Sequence, residues 1–168
     1  MIDFSIVVPV YRNEENIGPL LRRLADVHRS LKDSSEAVFV IDGSPDCSRQ
    51  VLLDALGSQS FPSQVVTLSR NFGSFNAIRA GLEAARGRAF GVIAADLQEP
   101  PELLMEFAKE LSADTCDVCV GKRIGREDGA SDRIASNMFW FLYRWLIQPQ
   151  MPPGGLDVFG CNSKVRDV

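Results

Sequence analysis

The chain has 168 residues, the length of one domain, and a hydrophobic content of 45% is enough to build one core. A net charge of −4 argues against a nucleic-acid-binding protein, because such proteins need a basic surface. No apolar run reaches the roughly 18 residues of a membrane span, and we expect no secretion signal at the start.

Predicted strands and helices alternate along the chain. Apolar, often β-branched runs predict strands at residues 4–10, 37–41, 64–68, 90–95 and 117–121. Apolar side chains at helical spacing predict helices at residues 17–31, 51–56, 77–85 and 101–111. Ser74 is expected to cap the third helix. The connection lengths suit crossovers between parallel strands, so we expect an α/β, Rossmann-like layer structure with a mostly parallel central sheet.

The fourth predicted strand delivers two polar side chains, Asp96 and Gln98, at its carboxyl end. If the chain stays extended there, residues 94, 96 and 98 lie on one side. The proline pair at 100–101 then stops the strand and can open the next helix. Because ligands of open α/β sheets bind just beyond the carboxyl ends of strands, Asp96 is a candidate binding residue.

Polar side chains follow every predicted strand. They are Tyr11 and Glu14, Asp42, Arg70 and Asn71, Asp96 and Gln98, and finally Lys122, Arg123 and Arg126. Carboxylates and amides suit a ribose, a base edge or a metal ion, and basic side chains suit phosphate, so the set fits a nucleoside diphosphate. Neither a Walker sequence nor the glycine-rich dinucleotide fingerprint occurs, which argues against a P-loop ATPase and a dinucleotide oxidoreductase.

Six short motifs are distributed over nearly the whole chain. They are residues 8–14 (VPVYRNE), 42–46 (DGSPD), 68–73 (LSRNFG), 95–101 (ADLQEPP), 121–123 (GKR) and 154–159 (GGLDVF). In these motifs and their order the chain resembles family 2 glycosyltransferases of the GT-A fold, nearest the polyprenyl-phosphate type that includes dolichol-phosphate mannosyltransferases and bactoprenol glucosyltransferases. The resemblance implies one three-layer α/β/α catalytic domain over residues 1–168, which we expect to be truncated at its C-terminal end.

The resemblance also implies a UDP- or GDP-sugar as the donor. The residues that it assigns to the donor are Pro9, Tyr11, Glu14, Asp42, Arg70, Asn71, Gly73 and Asp96. Asp96 and Gln98 would hold Mg²⁺ or Mn²⁺ on the diphosphate. Two positions depart from the family pattern, because Ala94 replaces a frequent second acid and Ile41 replaces a frequent Asp or Asn. We therefore expect weaker metal and donor binding than a two-acid site gives.

The reaction that the resemblance implies is a metal-dependent, inverting transfer of the sugar to a polyprenyl phosphate. A lipid phosphate is already anionic near neutral pH, so it needs positioning by arginine more than it needs a general base. Arg123, Arg126 and Arg133 are the candidates for binding the acceptor phosphate, and Asp157 and Arg123 are the candidate catalytic residues. Two alternatives stay open: transfer to a glycan hydroxyl in cell-surface polysaccharide synthesis, and a nucleotide-sugar-binding module without turnover.

Residues 138–147 form an apolar predicted helix that contains both tryptophans and is too short to span a bilayer. The segment suits a buried core helix, an interfacial helix, a helix that docks on a further segment, or a dimer face. The expected partners are thus a nucleotide-sugar donor, a lipid-phosphate acceptor and a membrane surface, with a homo-oligomer left open. The expected location is cytoplasmic, peripheral at the inner face of the cell membrane.

Three remaining candidates are expected to be structural. Cys116 and Cys119 form a single CxxC pair at the entry to a strand whose positions 116, 118 and 120 would share a face, so we interpret them as core or incidental cysteines. His28 is expected to be a surface residue of the first helix. The four cysteines of the chain are sparse and follow no spacing of secreted scaffolds, which indicates a reducing cytoplasm.

Overall fold

The computed structural model describes residues 2–121 and 158–168. Its strands are β1 (Phe4–Val10), β2 (Ser35–Asp42), β3 (Ser63–Leu68), β4 (Ala89–Val92), β5 (Val118–Val120) and β6 (Phe159–Asn162). Its helices are α1 (Ile17–Ser30), α2 (Ser48–Leu56), α3 (Ser74–Ala84), α4 (Leu103–Ser112) and α5 (Ser163–Arg166), with a 3-10 turn at Glu14–Asn16 before α1.

The described strands form one sheet in the order β3-β2-β1-β4-β6-β5. The first four strands of the chain pair in parallel, as predicted. Strand β6 lies antiparallel between β4 and β5, so β5 runs in the same direction as β4. The carboxyl ends of β1 to β5 therefore meet at one edge of the sheet, which we call the carboxyl edge. The opposite edge is called the amino edge.

Two apolar layers cover the two faces of the sheet, because successive side chains of a strand point to opposite sides. On one face Ile6 and Phe39 pack with residues of α1, α2 and α4. On the other face Val7 and Val38 pack with residues of α3. All four of these strand side chains are buried almost completely. The result is the predicted three-layer α/β/α arrangement with a mostly parallel sheet.

The fourth strand is shorter than predicted and ends at Val92. After it the chain turns, and Leu97 has a φ of 59°, in the left-handed region. The prediction that residues 94, 96 and 98 alternate on one side of an extended chain is therefore wrong. The following helix begins at Leu103, two residues later than the proline pair suggested.

Strand β6 was not predicted, because its sequence, FGCN, carries little of the β-branched signal. The cap of α3 also differs from the prediction. Gly73 occupies the cap position with a φ of 89°, and Ser74 is the first residue of the helix.

His28 is buried, with only 4% of its surface exposed, so the expected surface position is wrong. Its Nδ1 lies 2.8 Å from Ser35 Oγ, and its ring packs at 6.0 Å from the ring of Phe61. The residue falls on the inner face of α1, where the apolar pattern continues to Val27 and Leu31.

Cys116 and Cys119 pack against the core, as interpreted, and their sulfurs lie 3.3 Å apart. Burial, together with the neighbouring Cys116, raises the pKa of the Cys119 thiol to about 12, which makes it a poor nucleophile. The predicted shared face holds for Val118 and Val120, which are both exposed, but not for Cys116, because β5 begins only at Val118. Among the described residues no helix is long and apolar enough to cross a membrane.

Candidate functional site

A cavity of about 300 Å³ opens at the carboxyl edge, between the loops that follow β1, β2, β3 and β4. Its lining residues are Pro9, Val10, Tyr11, Asn13, Asp42, Asn71, Gly73, Ser74, Ala94, Ala95 and Asp96. Six of the eight residues predicted to bind a donor are in this set. The two that are not are Glu14 and Arg70.

Asp42, at the end of β2, is 3% exposed and holds the loop after β3. Its Oδ1 accepts the N–H of Phe72 at 2.7 Å, and its Oδ2 accepts the N–H of Gly73 at 2.9 Å. A carboxylate offers about four lone-pair sites, so these two bonds leave acceptor capacity at the wall of the cavity. Ile41, one residue earlier, points to the other face and is buried in the core, which follows from the alternation of the strand.

Gly43 allows the loop after β3 to lie directly against the end of β2. Its φ is 57°, and a Cβ built there would lie 2.3 to 2.6 Å from backbone atoms of Arg70 and Asn71. Any larger residue would therefore displace this loop. Gly73 also has a positive φ, but a Cβ at that position would meet nothing within 4 Å.

The loop after β1 is held by side chains of the loop after β2. The Arg12 N–H donates to Ser44 Oγ at 2.8 Å, and the Asn13 N–H donates to Ser48 Oγ at 3.0 Å. Both hydroxyls in turn donate to the carboxylate of Asp46. Burial raises the pKa of Asp46, but the hydrogen bonds from Ser44, Ser48 and backbone N–H groups outweigh it, so the pKa lies below its ordinary value.

Glu14 belongs to this same network. Its N–H donates to Asp46 Oδ2 at 3.4 Å, and its own Oε2 accepts the N–H of Cys47 at 3.0 Å. The structure thus places Glu14 where it joins two loops, outside the wall of the cavity. The residues Asn13, Ser44, Asp46 and Ser48 that complete the network were not predicted as site residues. Asn13, Ser44 and Asp46 lie within the motifs at residues 8–14 and 42–46, whereas the signal at Ser48 is only the run of turn-forming residues at 42–48.

Two arginines at the carboxyl edge lie over aromatic rings. The guanidinium carbon of Arg12 is 5.4 Å from the ring centroid of Tyr11, and that of Arg70 is 4.8 Å from the centroid of Phe72. At these distances the cations are attracted to the ring faces. Arg70 therefore lies beside the cavity, on the loop that Asp42 holds, and not in its wall.

Asp96 is the exposed carboxylate of the site. Its Oδ1 accepts the N–H of Gln98 at 3.2 Å, and it lines the cavity together with Ala94 and Ala95. An exposed carboxylate at a cavity wall fits a divalent cation, because Mg²⁺ is commonly held by one or two carboxylates with substrate phosphates and waters. Within residues 2–121 and 158–168 no cluster of three His, Cys, Asp or Glu side chains could hold a metal without such a substrate.

The remaining predicted site residues lie outside the described part of the chain. They are Lys122, Arg123, Arg126, Arg133 and Asp157, and the aromatic segment 138–147 lies there too. The two described parts of the chain meet where the first ends and the second begins. The N–H of Gly121, the last residue of the first part, donates to the carbonyl of Val158, the first residue of the second, at 2.9 Å. Both residues lie at the carboxyl edge, beside the end of β4.

Comparison with known proteins gives relatives that resemble the chain over most of its length. A dodecaprenyl-phosphate galacturonate synthase of Rhizobium johnstonii is 34% identical over 128 residues, which cover 76% of this chain and 38% of that protein. An undecaprenyl-phosphate 4-deoxy-4-formamido-L-arabinose transferase of Pseudomonas fluorescens is 38% identical over 134 residues, 80% of this chain and 39% of that protein. The chain thus spans less than half the length of either relative.

Solved structures share the fold. A mannosyltransferase of Pyrobaculum calidifontis, solved in complex with GDP-Man and Mn²⁺, matches 98% of this chain and 45% of its own with a TM-score of 0.68 and 18% identity. The TarS protein of S. aureus, solved with UDP-GlcNAc, matches 77% of this chain and 36% of its own with a TM-score of 0.61 and 26% identity. The family described as "Glycosyl transferase family 2" matches residues 5–165. The chain therefore belongs to glycosyltransferase family 2.

Proposed function

We propose that this chain is the donor-binding and catalytic domain of an enzyme that transfers a sugar from a UDP- or GDP-sugar to a polyprenyl phosphate. The observation that carries the proposal is the cavity at the carboxyl edge, where six predicted donor residues from the carboxyl ends of four strands and the loops after them line one recess. The names of two relatives, which specify dodecaprenyl phosphate and undecaprenyl phosphate, support the class of acceptor.

The nucleoside of the donor would bind between the loops after β1, β2 and β3. Asp42 keeps lone pairs for an N–H of the base or a hydroxyl of the ribose. Tyr11 is 39% exposed, and the face of its ring that Arg12 does not cover is proposed to pack on the base. Asn71 adds an amide that can donate and accept. Because the loops are tied to one another before any ligand arrives, little ordering would be needed on binding.

A divalent cation would be held by Asp96, with Gln98 as a second ligand. Among the described residues, the hydrogen-bond partner of the Asp96 carboxylate is the Gln98 N–H, so oxygens remain for a metal ion. A bound Mg²⁺ or Mn²⁺ supplies positive charge that stabilises the departing diphosphate. Arg70, beside the cavity, is proposed to contact the same phosphates.

The transfer itself would be a single displacement with inversion. A phosphate oxygen of the acceptor attacks the anomeric carbon from the face opposite the nucleoside diphosphate. The new carbon–oxygen bond forms as the bond to the diphosphate breaks, and the diphosphate leaves as an anion. Arg123, Arg126 and Arg133 are proposed to position the acceptor phosphate, and Asp157 to orient the sugar. These four roles rest on the resemblance alone.

An acceptor of this kind would be reached at a membrane surface. We therefore propose a peripheral location at the cytoplasmic face of the cell membrane, with segment 138–147 as the candidate interfacial helix.

The test is transfer of radiolabelled sugar to undecaprenyl phosphate in detergent with Mn²⁺, for a panel of UDP- and GDP-sugars. We expect label in the lipid extract, and a loss of at least about a hundredfold for Asp96→Asn, because the metal would lose its carboxylate. Asp54→Asn, at an exposed position of α2, is the matched control and should retain full activity.

Two other outcomes would overturn the proposal. Label in a glycan without any in the lipid would show that the acceptor is a sugar hydroxyl and not a lipid phosphate. Donor binding without any transfer or hydrolysis would make the chain a binding module.

A further inference from the structure

The amino edge, opposite the candidate donor site, carries a second and larger cavity of about 1010 Å³. It lies between the first residues of β1 and β4, the carboxyl ends of α1 and α4, and the beginning of α5. All of its lining residues belong to the described part of the chain. The sheet separates it from the donor cavity, so it cannot serve as an extension of that site.

The cavity is lined by most of the lysines of the chain. The sequence contains only four lysines, against fourteen arginines, and three of the four, Lys32, Lys109 and Lys164, line this cavity. Arg88 is a fourth cation in the lining. The three lysines come from three separate elements, the loop after α1, the helix α4 and the helix α5, so their convergence is a product of the fold and not of a run of basic residues.

Only part of this positive charge is neutralised. Lys164 is paired, since its Nζ lies 3.2 Å from Asp114 Oδ1 and 3.5 Å from Asp117 Oδ1. Within the described residues, Lys32, Arg88 and Lys109 make no ion pair. Two carboxylates, Asp3 and Asp114, stand against four cations in the lining, which leaves a net charge of +2 in a chain whose total is −4.

The floor of the cavity is apolar. Phe4, Ala89 and Leu111 are each buried to 95% or more in the protein and still contribute to the lining. A basic rim above an apolar floor matches a ligand that has an anionic group and an apolar body. Lysine ammonium groups bind phosphate as point charges, and several of them around a recess raise the local concentration of anions.

We propose that the amino-edge cavity binds an organic phosphate, with its phosphate on Lys32, Arg88 and Lys109 and its apolar part over the floor. The site is separate from the donor cavity, and the inference does not depend on the proposed transfer reaction. The phosphate could belong to a soluble metabolite or to the headgroup of a lipid, and the experiment distinguishes these two sources.

Methionine-methyl NMR gives a local probe, because Met105 lines the cavity and the chain has only four methionines. Met105→Leu would assign the signal. Phenyl phosphate is titrated in EDTA, which suppresses metal-dependent binding at the donor site. We expect a saturable shift of the Met105 methyl with a Kd below about 1 mM, and weaker binding of inorganic phosphate, which lacks the apolar body. No saturable shift up to about 10 mM would overturn the proposal.

A charge-matched pair of variants separates the cavity from general attraction. Arg88→Gln with Lys109→Gln should weaken phenyl phosphate binding about tenfold or more, since two charge-assisted contacts are lost. Arg22→Gln with Arg86→Gln removes the same charge at exposed positions outside the cavity and should leave the Kd unchanged. Equal weakening in both pairs would mean non-specific attraction and would contradict a defined site.

Sedimentation with phosphatidylcholine vesicles that contain phosphatidic acid identifies the source of the phosphate. Retention that Arg88→Gln with Lys109→Gln abolishes would assign the cavity to a lipid headgroup. If the Met105 methyl shifts with phenyl phosphate but the protein does not sediment with the vesicles, the cavity is assigned to a soluble organic phosphate.

Discussion

Glu36 and Asp42 lie at opposite ends of β2, and each is a buried carboxylate that holds a neighbouring loop. At the amino end, Glu36 is 1% exposed and accepts hydrogen bonds from Ser5 Oγ at 2.8 Å, from Gln64 Nε2 at 3.1 Å and from the N–H of Arg86 at 2.7 Å. At the carboxyl end, Asp42 is 3% exposed and accepts two backbone N–H groups of the loop after β3.

The difference between the two ends lies in what surrounds the carboxylate. Three protein donors enclose Glu36. One of them, the Ser5 hydroxyl, also accepts the N–H of Gly87 at 2.8 Å, which extends the network to the chain before β4. Asp42 has two donors and lines an open cavity. A buried carboxylate thus fixes the fold at one end of the strand, while at the other it fixes the loop after β3 and also lines the candidate donor cavity. A buried acid at a strand end is therefore not by itself evidence of a functional site.

The largest expected effect on stability is at the amino end. Glu36→Ala leaves the Arg86 N–H, the Gln64 amide and the Ser5 hydroxyl without their buried acceptor, so the free energy of unfolding should fall by about 3 kcal/mol. Urea denaturation measures it. Glu83→Ala removes an exposed ion pair of α3 and should change the free energy of unfolding by less than about 0.5 kcal/mol. Equal effects of the two substitutions would show that the Glu36 network does not hold the amino edge.

At the carboxyl end the corresponding test is Gly43→Ala. A Cβ there collides with the backbone of Arg70 and Asn71, so we expect a loss of about 2 kcal/mol of stability and at least about tenfold weaker donor binding. Gly73→Ala carries only the cost of its positive φ and should lose about 1 kcal/mol. Gly57→Ala, with open space around it and a φ of −60°, should be neutral. If Gly43→Ala behaves like Gly57→Ala, the loop does not depend on this approach.

Ala94→Asp sharpens the comparison by adding a carboxylate near Asp96, the proposed metal ligand, at the wall of the candidate donor cavity. Metal affinity rises with the number of charged ligands, so Mn²⁺ affinity in the presence of nucleotide should increase about tenfold. Calorimetric titration of Mn²⁺ measures it, and Ala113→Asp at the exposed end of α4 is the control for added charge. Unchanged affinity in Ala94→Asp would mean that residue 94 does not face the metal.

The smallest effect concerns the pH dependence of the network around Asp46. Its pKa is lower in the folded protein than in the unfolded chain, so its contribution to stability is complete above the ordinary value of 3.8 and disappears as the pH falls through the lower folded pKa. The difference in the free energy of unfolding between the wild type and Asp46→Asn should therefore shrink below about pH 4. A difference that stays constant as the pH falls below the ordinary value of 3.8 would exclude this linkage.

The sequence predicts the regular part of the molecule well, for physical reasons. Strands β1, β2 and β3 lie within two residues of their predicted bounds, because long β-branched, apolar runs have few other solutions. Strand β6 was not predicted, because its four residues include a glycine and an asparagine and carry no such pattern. The predicted alternation of residues 94, 96 and 98 failed because β4 ends at Val92 and Leu97 adopts a positive φ, which its residue type does not signal.

Much of the lining of the candidate site was also predictable, but the hydrogen bonds that hold its loops were not. Strand ends identify Asp42, Asn71 and Asp96, since parallel strands bring their carboxyl ends together. That Glu14 would join two loops, and that Asp42 would hold the loop after β3, depends on hydrogen bonds between residues about 30 positions apart. Such pairings arise only when the sheet is assembled.

The most direct test of the donor site is calorimetric titration of the chain with UDP, UDP-glucose and GDP-mannose, each with Mn²⁺ and with EDTA. We predict that one nucleotide binds with Mn²⁺, that EDTA weakens this binding about tenfold or more, and that Asp42→Asn weakens it as well. Glu83→Ala should bind like the wild type. Absence of binding by all three ligands in Mn²⁺, or equal binding by the wild type and Asp42→Asn, would contradict a nucleotide-sugar site at the carboxyl edge.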